Sequence, residues 1–149
     1  VRFDEVEVRP TNRSAAGVKA IKLEPEERAV GMAVVPNDDA EIIVLTEKGF
    51  GKRTKAASFK VKGRNTKGVK YMNITTKSGN PVALSVCSKD EDLVVVTDKG
   101  MIIRTELKNI SVIGRDTQGV CIIKLNEGHK VASIVVVPKA DASKDEEQE

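Results

Sequence analysis

The chain has 149 residues, of which 40% are hydrophobic and only 3% aromatic, and its formal net charge is +3. With no Trp, one Tyr and three Phe it offers few stacking platforms, which argues against modules that read single-stranded bases on aromatic side chains. No apolar run approaches the roughly 18 residues that cross a membrane, and no signal peptide opens the chain. We therefore expect a cytoplasmic protein whose cysteines, Cys87 and Cys121, are reduced core thiols.

The sequence repeats itself with a period of 51 residues. The segment 43–49, IVLTEKG, matches the segment 94–100, VVVTDKG, and the register continues without a gap through Gly68-Val69 and Gly119-Val120. Shifted the other way, the same pattern reaches Gly17-Val18, so the chain opens partway through an earlier copy. We expect the second half of one unit at 1–38, a complete unit at 39–90, a final unit at 91–138 and an acidic disordered tail at 139–149.

Each complete repeat is predicted to form four short strands separated by turn signals. An acid-Lys-Gly turn follows the first strand, where Gly49 or Gly100 supplies the positive φ of a tight hairpin. In chain order, the predicted strands are 18–23 and 29–35 in the partial unit, 42–46, 50–54, 69–74 and 82–87 in the complete unit, and 93–97, 101–105, 120–125 and 131–137 in the final unit.

Four strands in about 50 residues are typical of an all-β, propeller-like array, in which each small sheet packs its faces on its neighbours. Propellers close with about four to eight such blades. Two and a half repeats cannot close a ring, so we expect a partial disc.

A basic stretch, residues 48–70, holds nine cations and no acidic residue. The body of the chain is also basic, because the last nine residues hold five acids and one lysine and leave +7 on the other 140. An external polyanion would give such cations phosphate partners, so nucleic acid is the first partner to consider. The alternative is a lysine-rich solvated face.

Within this stretch the glycine-bounded loop 63–68 would let a ligand approach the backbone closely. Arg64 shares its repeat position with Arg13 and Arg115, and Arg53 shares its position with Arg2 and Arg104. Arginines at such a recurring position either face successive DNA phosphates or pair with a neighbouring blade. Phosphate contacts do not read bases, so low sequence specificity is expected. The predicted DNA-contacting residues are Arg13, Lys52, Arg53, Lys60, Lys62, Arg64, Lys67, Lys70, Arg104 and Arg115.

Three successive strings of the chain resemble blades of the C-terminal domain of the DNA gyrase A subunit. They are VRFDEVEVRPTNRSAAGVKAIKL, VLTEKGFGKRTKAASFKVKGRNTKGVKYMNI and VVTDKGMIIRTELKNISVIGRDTQGVCIIKL, which together cover nearly all of residues 1–138. The resemblance implies a six-bladed β-pinwheel whose strands are partly exchanged between blades and whose rim binds and wraps duplex DNA. This chain would be its last blades.

The same resemblance implies partners and cofactors for the parent protein, a type II topoisomerase of the bacterial, nucleoid-associated cytoplasm. The partners would be duplex DNA, the remainder of the gyrase A subunit, and the gyrase B subunit in a heterotetramer. ATP and Mg²⁺ would be used by other parts of that enzyme, so we expect no cofactor and no catalytic residue in this chain. Tyr71, in a predicted blade strand, is expected to be a packing residue.

One motif of that family is missing. The family's diagnostic box, Q-R/K-R-G-G-R/K-G, aligns with Lys62-Gly63-Arg64-Asn65-Thr66-Lys67-Gly68, which lacks the Gln and the paired glycines. The similar C-terminal domain of the topoisomerase IV A subunit therefore stays an alternative. A propeller-type protein-interaction module and a basic RNA-associated β protein are two more.

Charge is uneven along the repeats. The final repeat sets Glu106 and Asp116 against its cations, so we expect the middle repeat to hold DNA harder than the last. We also expect the acidic tail to compete with DNA for the basic rim.

Overall fold

The computed structural model describes residues 1–139 and shows two antiparallel β-sheets with three short 3₁₀ turns. The predicted all-β class is confirmed. Apart from its first residue, the predicted acidic tail lies outside the described residues. The strands are β1 (Glu41–Thr46), β2 (Phe50–Lys55), β3 (Pro81–Cys87), β4 (Glu91–Thr97), β5 (Ile102–Glu106), β6 (Val120–Cys121) and β7 (Val131–Pro138); the 3₁₀ turns are Glu5–Glu7, Ala56–Ser58 and Leu107–Asn109.

Each complete repeat builds its sheet on a β-hairpin, β1-β2 in the first and β4-β5 in the second. The first sheet has the order β3-β1-β2-β6 and the second the order β5-β4-β7. The hairpin turns contain Gly49 at φ 80° and Gly100 at φ 77°, as the acid-Lys-Gly pattern predicts.

A strand of the final repeat completes the sheet of the middle repeat. β6 belongs to the final repeat, yet it pairs with β2, where Cys121 lies opposite Phe50 and Val120 opposite Gly51. The main-chain oxygen of Gly49 accepts the next bonds, from the N–H groups of Ile122 and Ile123. This is the exchange of strands between blades that the resemblance implies.

Several predicted third and fourth strands are wrong or too long. Segments 29–35 and 69–74 form no strand, 18–23 forms a single bridge at Ile21, and 120–125 shortens to β6. The reason is pairing. Neither 29–35 nor 69–74 has a hydrogen-bonded strand beside it within residues 1–139. An extended segment without a neighbour makes no ladder hydrogen bonds, whatever its β-propensity.

The larger hydrophobic core lies between the two sheets. The two faces of β1 are both covered, with Ile43 and Leu45 packed towards the second sheet and Ile42 clustered with Ala56 and Phe59. Leu93 and Val95 of β4 meet the first of these faces. A strand buried on both faces reads as the continuous apolar run seen in the sequence.

Only one of the two cysteines is a core residue. Cys87 is buried and burial raises the pKa of its thiol to about 12, whereas Cys121 is exposed. Both are free thiols. The expectation of two core thiols is therefore wrong for Cys121, because the short β6 lies at the edge of its sheet with its side chains in solvent.

Hydrogen bonds between neighbouring repeats recur at the 51-residue period. Each of four contacts occurs twice, with the same kinds of donor and acceptor. The interface between repeats therefore follows the same period as the sequence. The pairs are Lys62 N–Arg2 O (2.8 Å) with Ile113 N–Arg53 O (2.9 Å), Lys22 N–Thr66 O (3.0 Å) with Asn73 N–Thr117 O (2.9 Å), Arg64 Nη1–Lys19 O (2.8 Å) with Arg115 Nη1–Lys70 O (3.0 Å), and Arg2 Nη1–Phe59 O (3.2 Å) with Arg53 Nε–Ile110 O (2.8 Å).

The contact that Lys52 makes with the following repeat has no counterpart at the equivalent positions. The side chain of Lys52 is fully buried, and its Nζ donates to the main-chain oxygens of Gly114 and Arg115, both at 2.7 Å, and to both oxygens of Thr117 at 3.2 Å. Burial lowers the pKa of this ammonium to about 8, while Asp116 opposes the shift. The same repeat position in the final repeat is Ile103, so this bond to the following loop exists only at the middle repeat.

Substitutions at the two hairpin glycines measure how much the contact between repeats contributes to stability. A Cβ on Gly49 would lie 2.4 Å from the main-chain oxygen of Ile123, whereas a Cβ on Gly100 would meet nothing within 4 Å. Gly100→Ala should therefore cost only the strain of a left-handed residue, about 1–2 kcal/mol. Gly49→Ala should cost about 1–3 kcal/mol more, because β6 must shift. Urea unfolding of both variants measures the difference, and equal losses would contradict the exchanged-strand contact.

Candidate nucleic-acid interface

The fold supplies carboxylates to most of the basic stretch 48–70. Although the stretch contains no acid, five of its nine cations pair with carboxylates from other parts of the chain. The pairs are Arg53 and Lys55 with Glu41, Arg64 with Glu7, Lys67 with Glu24 and Lys70 with Asp116. The sequence alone therefore overstates the free positive charge.

Two predicted DNA-contacting residues point into the protein. Lys52 is enclosed by the carbonyls of the following loop, and Arg53 is only 5% exposed. The Arg53 guanidinium is divided between the Glu41 carboxylate and the main-chain oxygen of Ile110. Neither head group can reach a phosphate without leaving these partners, which makes a DNA contact costly for both residues.

Arg104, the repeat mate of Arg53, is held in a similar way at a more open site. Its Nε lies 2.7 Å from the Asp92 carboxylate and its Nη2 donates to the main-chain oxygen of Pro138 at 3.2 Å. The side chain keeps 45% of its surface exposed. Arg2, the third arginine at this repeat position, also pairs with a carboxylate, that of Asp38 at 2.7 Å.

The arginines of the glycine-bounded loops tie adjacent repeats together. Arg64 and Arg115 each donate to the main-chain oxygen 45 residues earlier, that of Lys19 or Lys70. The Arg64 Nε also lies 3.9 Å from a Glu7 carboxylate oxygen. These contacts correspond to pairing with a neighbouring blade, one of the two roles that the sequence left open for these arginines. Arg13 occupies the same repeat position and is exposed.

The remaining predicted residues lie on the exposed segment 60–70, between the Ala56–Ser58 turn and β3. Lys60 and Lys62 are exposed and have no carboxylate within 4 Å among residues 1–139. Lys67 and Lys70 are 66% and 60% exposed despite their carboxylate partners. The corresponding positions of the final repeat are not cationic: Ser111, Ile113, Gln118 and Cys121.

Two exposed lysines beside this segment were missed at the level of sequence. Lys19 and Lys22 lie against the loop 63–68, where Lys22 N donates to Thr66 O at 3.0 Å. In the sequence they precede Glu24, Glu26 and Glu27 and so read as part of a mixed surface. The repeat alignment could have found Lys19, because it places Lys19 on Lys70.

Tyr71 is a packing residue, as expected. Its ring stacks on Phe59 with centroids 5.0 Å apart, and its hydroxyl donates to the main-chain oxygen of Ile42 at 2.6 Å. Burial raises the pKa of this hydroxyl well above its ordinary value.

Two kinds of feature are absent from residues 1–139. No cluster of three His, Cys, Asp or Glu side chains could hold a metal ion there. In the same part of the chain, no helix is long and apolar enough to cross a membrane.

The family model and the known relatives that match this chain all name DNA gyrase. The chain matches the family described as "DNA gyrase C-terminal domain, beta-propeller" over residues 1–36, 40–87 and 91–138. It is 40% identical over 142 residues to the DNA gyrase A subunit of Staphylococcus epidermidis strain ATCC 12228, covering 95% of this chain and 16% of that protein. It is 39% identical over 150 residues to the corresponding protein of Staphylococcus aureus strain MRSA252, covering 100% of this chain and 17% of that protein.

Solved structures share the fold. A DNA gyrase A C-terminal domain superposes with a TM-score of 0.83 at 24% identity, covering 91% of this chain and 46% of that one. The C-terminal domain of DNA topoisomerase IV gives a TM-score of 0.84 at 25% identity, covering 91% and 42%. The chain spans about a sixth of the length of its curated relatives. On the family match, which covers most of its residues, the chain belongs to the DNA gyrase C-terminal domain family.

Proposed function

We propose that this chain binds duplex DNA without sequence preference and wraps it, as part of a gyrase A subunit. The single observation that carries the proposal is the exposed segment 60–70 of a gyrase-family blade. There Lys60 and Lys62 stand without carboxylate partners in the described part of the chain. Cations in this state gain most from a phosphate, because no internal ion pair has to be broken first.

The remaining exposed cations of the segment contribute less. Lys67 and Lys70 already have carboxylates at 2.7 and 3.8 Å, which a phosphate would have to replace. Arg64, Arg104 and Arg115 serve mainly to position the blades, and Arg13 is a further exposed candidate. The middle repeat should therefore hold DNA harder than the final one.

The chemistry favours low sequence specificity. Lysine ammonium groups are point charges that neutralise phosphates, and base edges are read by planar, bidentate or amide groups set in a groove. No α-helix is present among residues 1–139 to enter a major groove. Backbone binding across successive blades suits wrapping.

Family membership also supports a proposal for the parent enzyme, its partners and its cellular location. We infer an ATP-hydrolysing, Mg²⁺-using type II topoisomerase of the bacterial cytoplasm, in which the gyrase A and B proteins work together to introduce negative supercoils. Catalytic and nucleotide chemistry would lie in other parts of that enzyme. The curated relatives support a gyrase origin over topoisomerase IV, although a topoisomerase IV domain shares the fold.

Affinity for a random-sequence duplex across a salt series tests the binding. Lys60→Gln/Lys62→Gln should reduce the slope of log affinity against log salt by about 1.8, at about 0.9 per lost phosphate contact. Lys108→Gln/Lys130→Gln is the matched control, because these lysines already have carboxylates at 2.9 and 3.0 Å. Its slope should stay that of the wild type.

Equal slopes for the wild type and the Lys60/Lys62 variant would mean that the segment 60–70 does not face DNA. A chain that ignores duplex DNA at low salt would favour the protein-interaction alternative. A preference for structured RNA over duplex DNA in competition would favour the RNA-binding one.

Wrapping is tested separately from binding. A nicked plasmid closed by ligase in the presence of this chain should show a linking-number shift of one sign that grows with protein concentration. The Lys60→Gln/Lys62→Gln variant should give a smaller shift at the same concentration. Saturated binding with no shift would contradict wrapping and leave a DNA-binding surface only.

A further inference from the structure

The sheet of the final repeat has a free edge at β5. No strand of residues 1–139 pairs with β5 on the side away from β4. Because Thr97 N donates to Met101 O, the next residue, Ile102, directs its N–H and C=O groups outward. The Ile102 residue is 68% exposed. Unpaired main-chain groups on a sheet edge are a template for another strand.

The equivalent edge in the middle repeat is covered by a closely fitted strand. β6 pairs there with Gly51, the repeat mate of Ile102. A Cβ on Gly49 would lie 2.4 Å from the main-chain oxygen of Ile123, and a Cβ on Gly119 would lie 2.5 Å from that of Gly51. Glycine on both sides of this contact lets the two main chains approach each other closely.

The first repeat contains the segment that corresponds to β6, residues 17–21. A Cβ on Gly17 would meet nothing within 4 Å, and the same holds for Gly100 in the hairpin of the final repeat. The N–H groups of Ala20 and Ile21 donate to no main-chain oxygen within residues 1–139. The described chain therefore has an edge without a strand and a matching segment without an edge.

The side chains at these two places are complementary in size. In the middle sheet a Cβ on Gly51 would lie 2.6 Å from Ile122 Cδ1, so no side chain fits at position 51 beside this isoleucine. The sizes are reversed at the free edge, because Ile102 replaces Gly51 and Ala20 replaces Ile122. A large residue on β5 facing a small one on the segment fills nearly the same volume as the observed pair.

A recurring arginine contact also lacks its acceptor at the free edge. In the first two repeats the arginine at this position donates to a main-chain oxygen of the following repeat, that of Phe59 or Ile110. Arg104 has no acceptor of this kind within residues 1–139 and stays partly exposed. The repeat mate of Phe59 and Ile110 in the first repeat is Val8, which is 47% exposed although both mates are buried.

We propose that the free edge of β5 is a docking surface for residues 8–21 of a second copy of this chain. We call these residues the docking segment. Positions 17–21 of the docking segment add a fourth strand antiparallel to β5, as β6 does to β2, and Arg104 donates to the main-chain oxygen of Val8 of the partner subunit.

This contact is head to tail, because it joins different surfaces of the two copies. Each copy supplies three repeat positions, counting the partial one, so two copies hold six. Propellers close with about four to eight blades, and a heterologous contact gives a ring when its rotation closes. The expected assembly is therefore a closed dimer in which both free edges are covered.

Exchanging the sizes of two facing residues tests the contact. Ala20→Ile should raise the dissociation constant of the dimer at least about tenfold, because two large side chains would meet. Adding Ile102→Gly should restore association, since it recreates the pair seen in the middle sheet. Both new residues already occur at these repeat positions, as Ile122 and Gly51, so the fold should be kept. Sedimentation equilibrium measures the dissociation constants.

The matched control is Ala132→Ile. It enlarges an exposed alanine on β7, at the opposite edge of the same sheet, and should leave the dissociation constant unchanged. Far-ultraviolet circular dichroism and urea midpoints confirm that each variant is folded. Urea unfolding of all variants, Gly49→Ala and Gly100→Ala included, is compared at dilutions where the chain is a single copy.

Mixing two defective chains shows whether the contact is head to tail. Ile102→Lys places a charge on the β5 edge and should block docking there. Ala20→Ile changes the docking segment and leaves β5 intact. Each variant alone should be largely monomeric, whereas an equimolar mixture should recover association, because each chain supplies the surface that the other lacks. No recovery in the mixture would contradict the head-to-tail arrangement.

Hydrogen exchange at the Ile102 amide identifies what covers the edge. The amide should be protected in the wild-type dimer and exchange freely in Ala20→Ile. Protection in a single copy would mean that another part of the chain, such as residues 140–149, covers β5, and would overturn the proposal. A wild-type chain that stays monomeric across the concentration series, or a dimer that survives both Ala20→Ile and Ile102→Lys, would overturn it too. None of these measurements involves DNA, so their failure would leave the proposed function standing.

Discussion

Hydrogen bonds that cross from one repeat to the next are the interaction on which this structure depends. β2 is completed by β6 from the following repeat, and four further contacts recur with a spacing of 51 residues. Each repeat therefore depends on its neighbour for ladder partners and for the acceptors of its arginines. Segments 29–35 and 69–74 have no paired strand beside them within residues 1–139, and they form no strand.

The same contacts determine which cations stay exposed and able to bind a phosphate. Lys52 and Arg53 are used inside the interface, and Arg64 and Arg115 hold the loops to the preceding repeat. What is left at the surface is a smaller set than the composition implies. The basic character of the middle blade thus comes from a few lysines, such as Lys60 and Lys62, whose mates in the final repeat, Ser111 and Ile113, are not charged.

Much of the fold was predictable because the repeat is visible in the sequence. The hairpins at Gly49 and Gly100 and the strands β1, β3, β4 and β7 follow from local pattern and turn chemistry. The exchange of β6 could be expected only from the resemblance, because no local rule states which repeat a strand will pair with.

The candidate site was harder to predict. The absence of acids within residues 48–70 gave no warning that Glu41, Glu7, Glu24 and Asp116 would come to these cations through the fold. Burial of Lys52 could not be predicted either, because a lysine beside Arg53 is normally exposed and its acceptors lie more than 60 residues away. The ion pairs and the burial of Lys52 both depend on contacts between residues that are far apart in the chain, and the local sequence does not reveal such contacts.

Lysine acylation read by mass spectrometry, with and without duplex DNA, tests most directly whether the fold divides its cations in this way. The burial of Lys52 predicts that it is unreactive in both states, even though its lowered pKa would favour reaction if it were exposed. Lys60 and Lys62 should react freely alone and be protected by DNA. Labelling of Lys52 in the free folded chain, or equal labelling of Lys60 and Lys62 in both states, would contradict this division.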